Sequence, residues 1–112
     1  MEIKQSSIVE GKGLFVKTGH QQGSIIYKLV GTTDNKPTRE SIYIGDGEHI
    51  YDEYGIFMNH SFKPNTKISG RNIIALENIL SGDEITFDYN SNEINMAAPF
   101  ELNGVKVSGK KY

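Results

Sequence analysis

The chain reads as one mostly-β domain, built of short strands arranged in small sheets. Three observations predict this. Its 112 residues are enough to enclose a single core and not two. Glycines alternate with short runs of β-branched and aromatic residues along the whole length. No segment keeps its apolar residues at a 3.6-residue period, so long helices are not expected. Residues 1–112 are therefore read as one domain.

Taken in order, Gly11-Lys12-Gly13 makes a tight turn, and Leu14-Phe15-Val16 leaves it as an extended run. Thr18 to Gly23 is a loop, and Ser24 to Val30 is a strand. Residues 31–40 are polar and contain Pro37, which blocks regular structure, so they read as a mobile loop or short insert. Ser41-Ile42-Tyr43-Ile44 and His49-Ile50-Tyr51 flank Gly45-Asp46-Gly47 as a hairpin. Asp52 to Met58 accommodates one short helical turn. Lys67–Ser69 and Asn72–Leu76 flank Gly70-Arg71 as a second hairpin, and Glu84 to Tyr89 is the last strand. Residues 95–112 form a tail without cysteine. Gly23-Ser24-Ile25-Ile26 and Gly82-Asp83-Glu84-Ile85 echo each other, but a turn before a strand is common and implies no repeat by itself.

Composition removes several function classes. With no cysteine there are no disulfides, thiolate metal sites or cysteine nucleophiles. A net charge of −2 argues against a broad phosphate-binding surface, so no direct nucleic-acid contact is expected. His20, His49 and His60 lack the spacing of a metal site, and no metal is predicted. No apolar run is long enough to span a bilayer, and none follows the N-terminus as in a signal peptide. The expectation is a soluble chain of the cytoplasm or nucleus.

Two stretches carry unusual chemistry. In the first, the polar triplet Asn59-His60-Ser61 lies between Ile56-Phe57-Met58 and Phe62 and is stopped by Pro64-Asn65. Polar side chains in such company need hydrogen-bond partners, so the triplet reads as a buried turn that satisfies backbone groups or holds a ligand. In the second, Glu84-Ile85-Thr86-Phe87-Asp88-Tyr89, alternation puts Ile85, Phe87 and Tyr89 on one side. Those rings either fill a core or line an aromatic tunnel for an aliphatic stem ending in nitrogen. Asp46, Glu48, Asp52 and Glu53 form an acidic cluster that is either a solvated face or an attractor of basic peptide.

Gly11-Lys12-Gly13-Leu14-Phe15, then Asn59-His60-Ser61 with Pro64-Asn65, then Gly82 to Tyr89 together resemble the SET-domain family of protein lysine methyltransferases. The likeness covers about residues 8 to 100. It implies a fold of small β-sheets with a C-terminal pseudoknot, similar to a β-clip. It also implies S-adenosylmethionine as cofactor, S-adenosylhomocysteine as product, and no metal. By the same likeness Lys12, Gly13, Leu14, Phe15, Asn59, His60, Tyr89 and Phe100 contact the cofactor. Tyr89 is the implied catalytic residue, and Tyr43, Tyr51, Phe87 and Tyr89 line a substrate-lysine channel. Phe87, lacking a hydroxyl, implies di- or trimethylation.

The implied substrate is a histone or other basic protein with an accessible lysine, on host chromatin if the source is viral or bacterial. There are departures from the pattern. Phe62 stands where the family often has cysteine, and the run from Met96 to Glu101 resembles the start of a zinc-binding tail whose ligands are missing. Phe100, Leu102, Tyr112 or a partner chain, as in a homodimer, then remains to cover the channel. The alternative is a silent module that binds a lysine-bearing peptide or the cofactor without turnover.

Overall fold

The computed structural model describes residues 1–37, 41–93, 100–102 (backbone only) and 104–107. Residues 38–40 of the expected insert, the tail start from Met96 to Pro99, and Tyr112 lie outside the described residues. In chain order the strands are β1 (Glu2–Gln5), β2 (Lys12–Phe15), β3 (Ile25–Lys28), β4 (Thr32–Asp34), β5 (Ile42–Gly45) and β6 (Glu48–Tyr51). A 3-10 turn, Gly55–Phe57, precedes β7 (Asn59–His60), β8 (Thr66–Ser69), β9 (Asn72–Ala75) and β10 (Glu84–Phe87). A short helix α1 (Tyr89–Asn92) follows, and then β11 (Phe100–Leu102) and β12 (Val105–Val107). The mostly-β expectation holds. No helix among the described residues is long and apolar enough to cross a membrane.

Among the described residues four small sheets result, ordered β1-β2-β10-β7, β3-β9-β8, β4-β6-β5 and β11-β12. Both predicted hairpins form. Asp46 and Gly47 turn between β5 and β6 with φ of 53° and 74°, the doubly left-handed conformation that matches strand twist. Gly70, with φ of 58°, opens the turn between β8 and β9. Three expectations are corrected. Thr32–Asp34, read as part of a loop, pairs with β6 as an edge strand. β1 was not anticipated, because Glu-Ile-Lys-Gln offers only one apolar residue; pairing with β2 organises it. The last predicted strand ends at Phe87, not at Tyr89.

Leu14, Val16, Leu29, Ile42, Ile50, Met58, Ile73, Ala75, Ile79, Ile85 and Phe87 form one continuous apolar core shared by three sheets. Asp52 is buried within it, and its carboxylate accepts from Tyr27 Oη, Val30 N, Tyr54 N and Gly55 N at 2.8–3.2 Å. Four donors satisfy the charge and tie β3 to the 3-10 turn that leads into β7. Asp52 therefore leaves the acidic cluster expected from the sequence.

Candidate active site

The two chemistry-bearing stretches meet through backbone pairing. β10 lies between β2 and β7: Glu84 and Ile85 pair antiparallel with Phe15 and Leu14, then Thr86 and Phe87 pair parallel with Asn59 and His60. A strand buried on both edges has no unpaired groups of its own, so its side chains are held firmly. Asn65 reinforces the join, donating from Nδ2 to the Glu84 carbonyl (2.8 Å) and accepting from Thr86 N (2.9 Å). The residue that follows the apolar neighbourhood of the triplet is thus a backbone clamp.

After Phe87 the chain turns. Asp88 caps α1 by accepting from Asn90 N at 2.9 Å, and Tyr89 becomes the first helical residue. The Tyr89 amide donates to His60 Nδ1 at 3.0 Å, and its phenol donates to the Met58 carbonyl at 2.5 Å. Its ring lies 5.2 Å from His60 and 4.7 Å from Phe87, both tilted. Burial, with a smaller effect of the Glu93 charge, pushes the phenol above its ordinary value. Burial likewise pushes His60 below the usual histidine range, against the pull of Asp88 at 3.7 Å. A neutral imidazole is what the Tyr89 amide requires as acceptor.

A second polar cluster lies on the other face of β10. Glu84 accepts from Asn59 Nδ2 (2.9 Å), Ser7 N (2.9 Å) and the hydroxyls of Ser6 and Ser7. Burial would raise its carboxyl, but the Asn59, Ser7 and Ser6 donors outweigh this and hold it below the ordinary glutamate value. Asn59 Nδ2 also reaches the Lys12 carbonyl at 3.0 Å. Gly13 is explained by this cluster: a Cβ there would sit 2.3 Å from Glu84 Oε2. Neither Glu84 nor Glu93 was singled out from sequence; an acidic residue beginning or following a strand carries no distinguishing pattern.

The predicted site residues divide in two. Gly13, Asn59, His60, Phe87, Tyr89 and the Lys12 carbonyl are brought together. Tyr43 is linked to them by backbone, since Glu93 accepts from Tyr43 N at 2.9 Å and Asn92 Nδ2 donates to Tyr43 O at 3.0 Å. The side chains of Leu14 and Phe15 are buried and both residues are paired with β1 and β10, so β2 leaves Lys12 as its exposed residue. Tyr51 is 45% exposed on β6, and no ring contact among the described residues links it to Phe87 or Tyr89. Phe100 opens β11, and its side chain lies outside the described residues. Phe62 packs edge-on against His60 at 4.4 Å.

Two cavities of about 310 Å³ each touch β10 and its continuation. One is lined by residues including Ile68, Leu76, Phe87, Asp88 and Asn92, the other by Ser7, Ser61, Asn65, Glu84 and Thr86. Among the described residues no group of three or more His, Asp or Glu side chains could hold a metal ion. The groups present suit an organic ligand with cationic centres. Glu84 is held ionised beside the Lys12 carbonyl, and the half-buried Tyr89 ring, backed by the buried rings of His60 and Phe87, adds an aromatic surface.

Comparison with known proteins agrees with this geometry. The family described as SET domain matches residues 11–90. The chain is similar to human histone-lysine N-methyltransferase 2B, 29% identical over an alignment of 109 residues, with 74% of this chain covered. It spans only 4% of that much longer relative. Its structure resembles that of a Plasmodium falciparum protein described as a histone methyltransferase, with a TM-score of 0.61 and 26% identity over 79% of this chain and 94% of the other.

Proposed function

This chain belongs to the SET-domain family, and on that premise we propose that it transfers the methyl group of S-adenosylmethionine to the side-chain amine of a lysine in a protein. One observation carries the proposal. Parallel pairing of β7 with β10 sets the Tyr89 amide on His60 Nδ1 and its phenol on the Met58 carbonyl, so backbone and ring are both fixed by the segment that forms β7. When bound, the cofactor supplies an activated methyl group on a cationic sulfur and leaves as S-adenosylhomocysteine.

The protein's part is alignment and exclusion of water. Tyr89, with its hydroxyl hydrogen on Met58, presents the phenol oxygen as an acceptor that orients the amine. Burial raises its pKa, so the phenol stays protonated and does not take the proton of the amine. Only the neutral amine attacks; with a reference pKa near 10.4, reaching it at neutral pH costs about 4 kcal/mol. An apolar surround of Phe87 and Tyr89 lowers that cost by disfavouring the ammonium. Phe87 is 3% exposed and brings no hydroxyl to hold a water beside the amine, which supports di- or trimethylation. Phe87→Tyr is expected to shift the product toward monomethyl-lysine, read by mass spectrometry of the modified peptide.

The proposed substrate is a basic protein such as a histone, met in the cytoplasm or nucleus. Asp46, Glu48 and Glu53, all exposed, remain to attract it. The test is transfer of labelled methyl from S-adenosylmethionine to core histones or a lysate. Label on lysine supports the reading. Cofactor binding without transfer to any lysine would instead support the silent module, and no binding at all would refute both.

A further inference from the structure

Among the described residues the buried acids are Asp52 and Glu93, and Glu93 has no part in the methyl transfer so far. It is 5% exposed and closes α1 with its amide on the Tyr89 carbonyl at 2.8 Å. Residues four apart on a helical turn share a face, so its side chain lies on the side of Tyr89. The carboxylate reaches across to β5, where it accepts from Tyr43 N at 2.9 Å (Oε2) and 3.2 Å (Oε1). Asn92 Nδ2 donates to Oε2 at 2.7 Å. Oε1 therefore holds only the longer branch of one shared N–H. Among the described residues no Lys or Arg pairs with Glu93.

A buried carboxylate with two donors and no cation is costly, and the missing partner here is a positive charge. The substrate lysine of the proposed methyl transfer brings one to Tyr89. Glu93 joins the backbone of Tyr89, the proposed catalytic residue, to the backbone of Tyr43, whose own ring packs on His49. Resting on that reading, we propose that Glu93 is the carboxylate that receives the substrate ammonium and takes its proton before methyl transfer. An N–H bond of the ammonium breaks and an O–H bond forms on Oε1. The freed amine pair then attacks the methyl carbon, the carbon–sulfur bond breaks with its electrons going to sulfur, and Glu93 later returns the proton to water.

Burial pushes the Glu93 carboxyl above the ordinary glutamate value, partly offset by the Tyr43 and Asn92 donors, which brings it closer to the amine it would serve. The titratable groups around it are Tyr43 and His49 across the β5–β6 hairpin, and Tyr89, Asp88 and His60 at the other end of α1.

The experiment is the pH dependence of kcat/KM with a histone-tail peptide. With an internal acceptor, the wild-type profile is flat between about pH 7.5 and 9.5, because the reacting pair is the carboxylate and the ammonium. Without one, it rises tenfold per unit as solvent deprotonates lysine; that slope in the wild type overturns the proposal, and it needs no variant. Glu93→Gln is expected to lower the rate about 100-fold near pH 7.5 and to restore the tenfold slope. An equal loss at every pH marks a purely structural clip and also overturns it. Asn92→Ala cuts the adjacent hydrogen bonds, leaves the carboxylate, and should keep the flat profile.

Binding separates this idea from the function it rests on. Calorimetry of the same peptide in two buffers counts protons released, with none expected for the wild type and about one for Glu93→Gln. That difference without any methyl transfer would keep the ammonium site and refute the enzyme. Transfer with no difference in proton release would do the reverse.

Discussion

At residues 20–28 the chain runs through a glycine turn into β3, and at residues 79–87 it runs through a matching turn into β10. His20 and Ile79 pair with each other through both backbone bonds at 2.8 Å. Gly23 N–H donates to Ala75 and Gly82 N–H to Val16, each at 2.8 Å, and the returning bonds to Ser24 and Asp83 are both 3.0 Å. Their φ values are 85° and 89°. What differs is the company. Among the described residues β3 pairs only with β9, and Ile25 is 58% exposed; β10 has β2 on one side and β7 on the other, and Ile85, Thr86 and Phe87 are buried. A shared local turn thus leads to an ordinary edge strand in one case and to the proposed site in the other. Chemistry follows from the neighbours, not from the turn.

The sharpest way to break that comparison is to remove one phenol hydroxyl from each unit. Tyr89→Phe deletes the hydroxyl held by Met58 at the proposed site and is expected to lower methyl transfer at least 100-fold. Tyr27→Phe deletes the hydroxyl held by Asp52 at 3.0 Å in the β3 unit. It should leave transfer unchanged and cost about 1–2 kcal/mol of stability. Equal activity in the two variants would remove Tyr89 from its role.

Glycines give the next largest contrast. Gly13→Ala drives a Cβ into Glu84 and Asn59, and either β2 or that cluster has to move, with an expected loss of about 3 kcal/mol by urea unfolding. At Gly23 and Gly82 a Cβ meets nothing within 4 Å, and only the left-handed backbone resists it. Each Ala variant there should lose about 1–2 kcal/mol, and the two losses should match. A much larger loss at Gly82 would mean that β10's partners, and not the turn, set the cost.

The same contrast explains what was legible in the sequence. Both hairpins follow from turn residues that force a reversal within two positions, as Asp46-Gly47 and Gly70 do. The Asn59-His60 and Phe87-Tyr89 pieces were legible because polar and aromatic residues in apolar company demand partners. Their parallel pairing was not, since contacts between strands more than twenty residues apart leave no local trace. Thr32–Asp34 is entirely exposed, so its pairing with β6 shows in no hydrophobic pattern. The internal echo around Gly23 and Gly82 was visible but indistinguishable from common turn chemistry until the hydrogen bonds were seen to match. Tyr89 was read as the end of a strand because period-two alternation continues through it, whereas the Asp88 cap turns the backbone first.

Protonation offers the finest test. His60 belongs to the site and His49 to β6, and burial lowers both below the ordinary value of 6.5, with Asp88 and Asp34 opposing. A histidine depressed in the folded state binds its proton more readily when unfolded. Its contribution to stability is therefore complete above pH 6.5 and lost as pH falls toward the folded value. One such proton changes stability by at most about 1.4 kcal/mol per pH unit. His60 Nδ1 is committed to the Tyr89 amide, while His49 Nδ1 is buried with no hydrogen-bond partner among the described residues. Protonating His60 at that nitrogen breaks a bond; protonating His49 there breaks none. Urea midpoints measured from pH 8 to pH 5 should fall below pH 6.5, and His60→Gln should flatten the fall more than His49→Gln. The opposite order would show that the histidine of the outer sheet, and not the one joining β7 to α1, governs acid stability. Below pH 4.5 a second loss is expected as Glu84, held ionised by Asn59 and the two serines, begins to protonate.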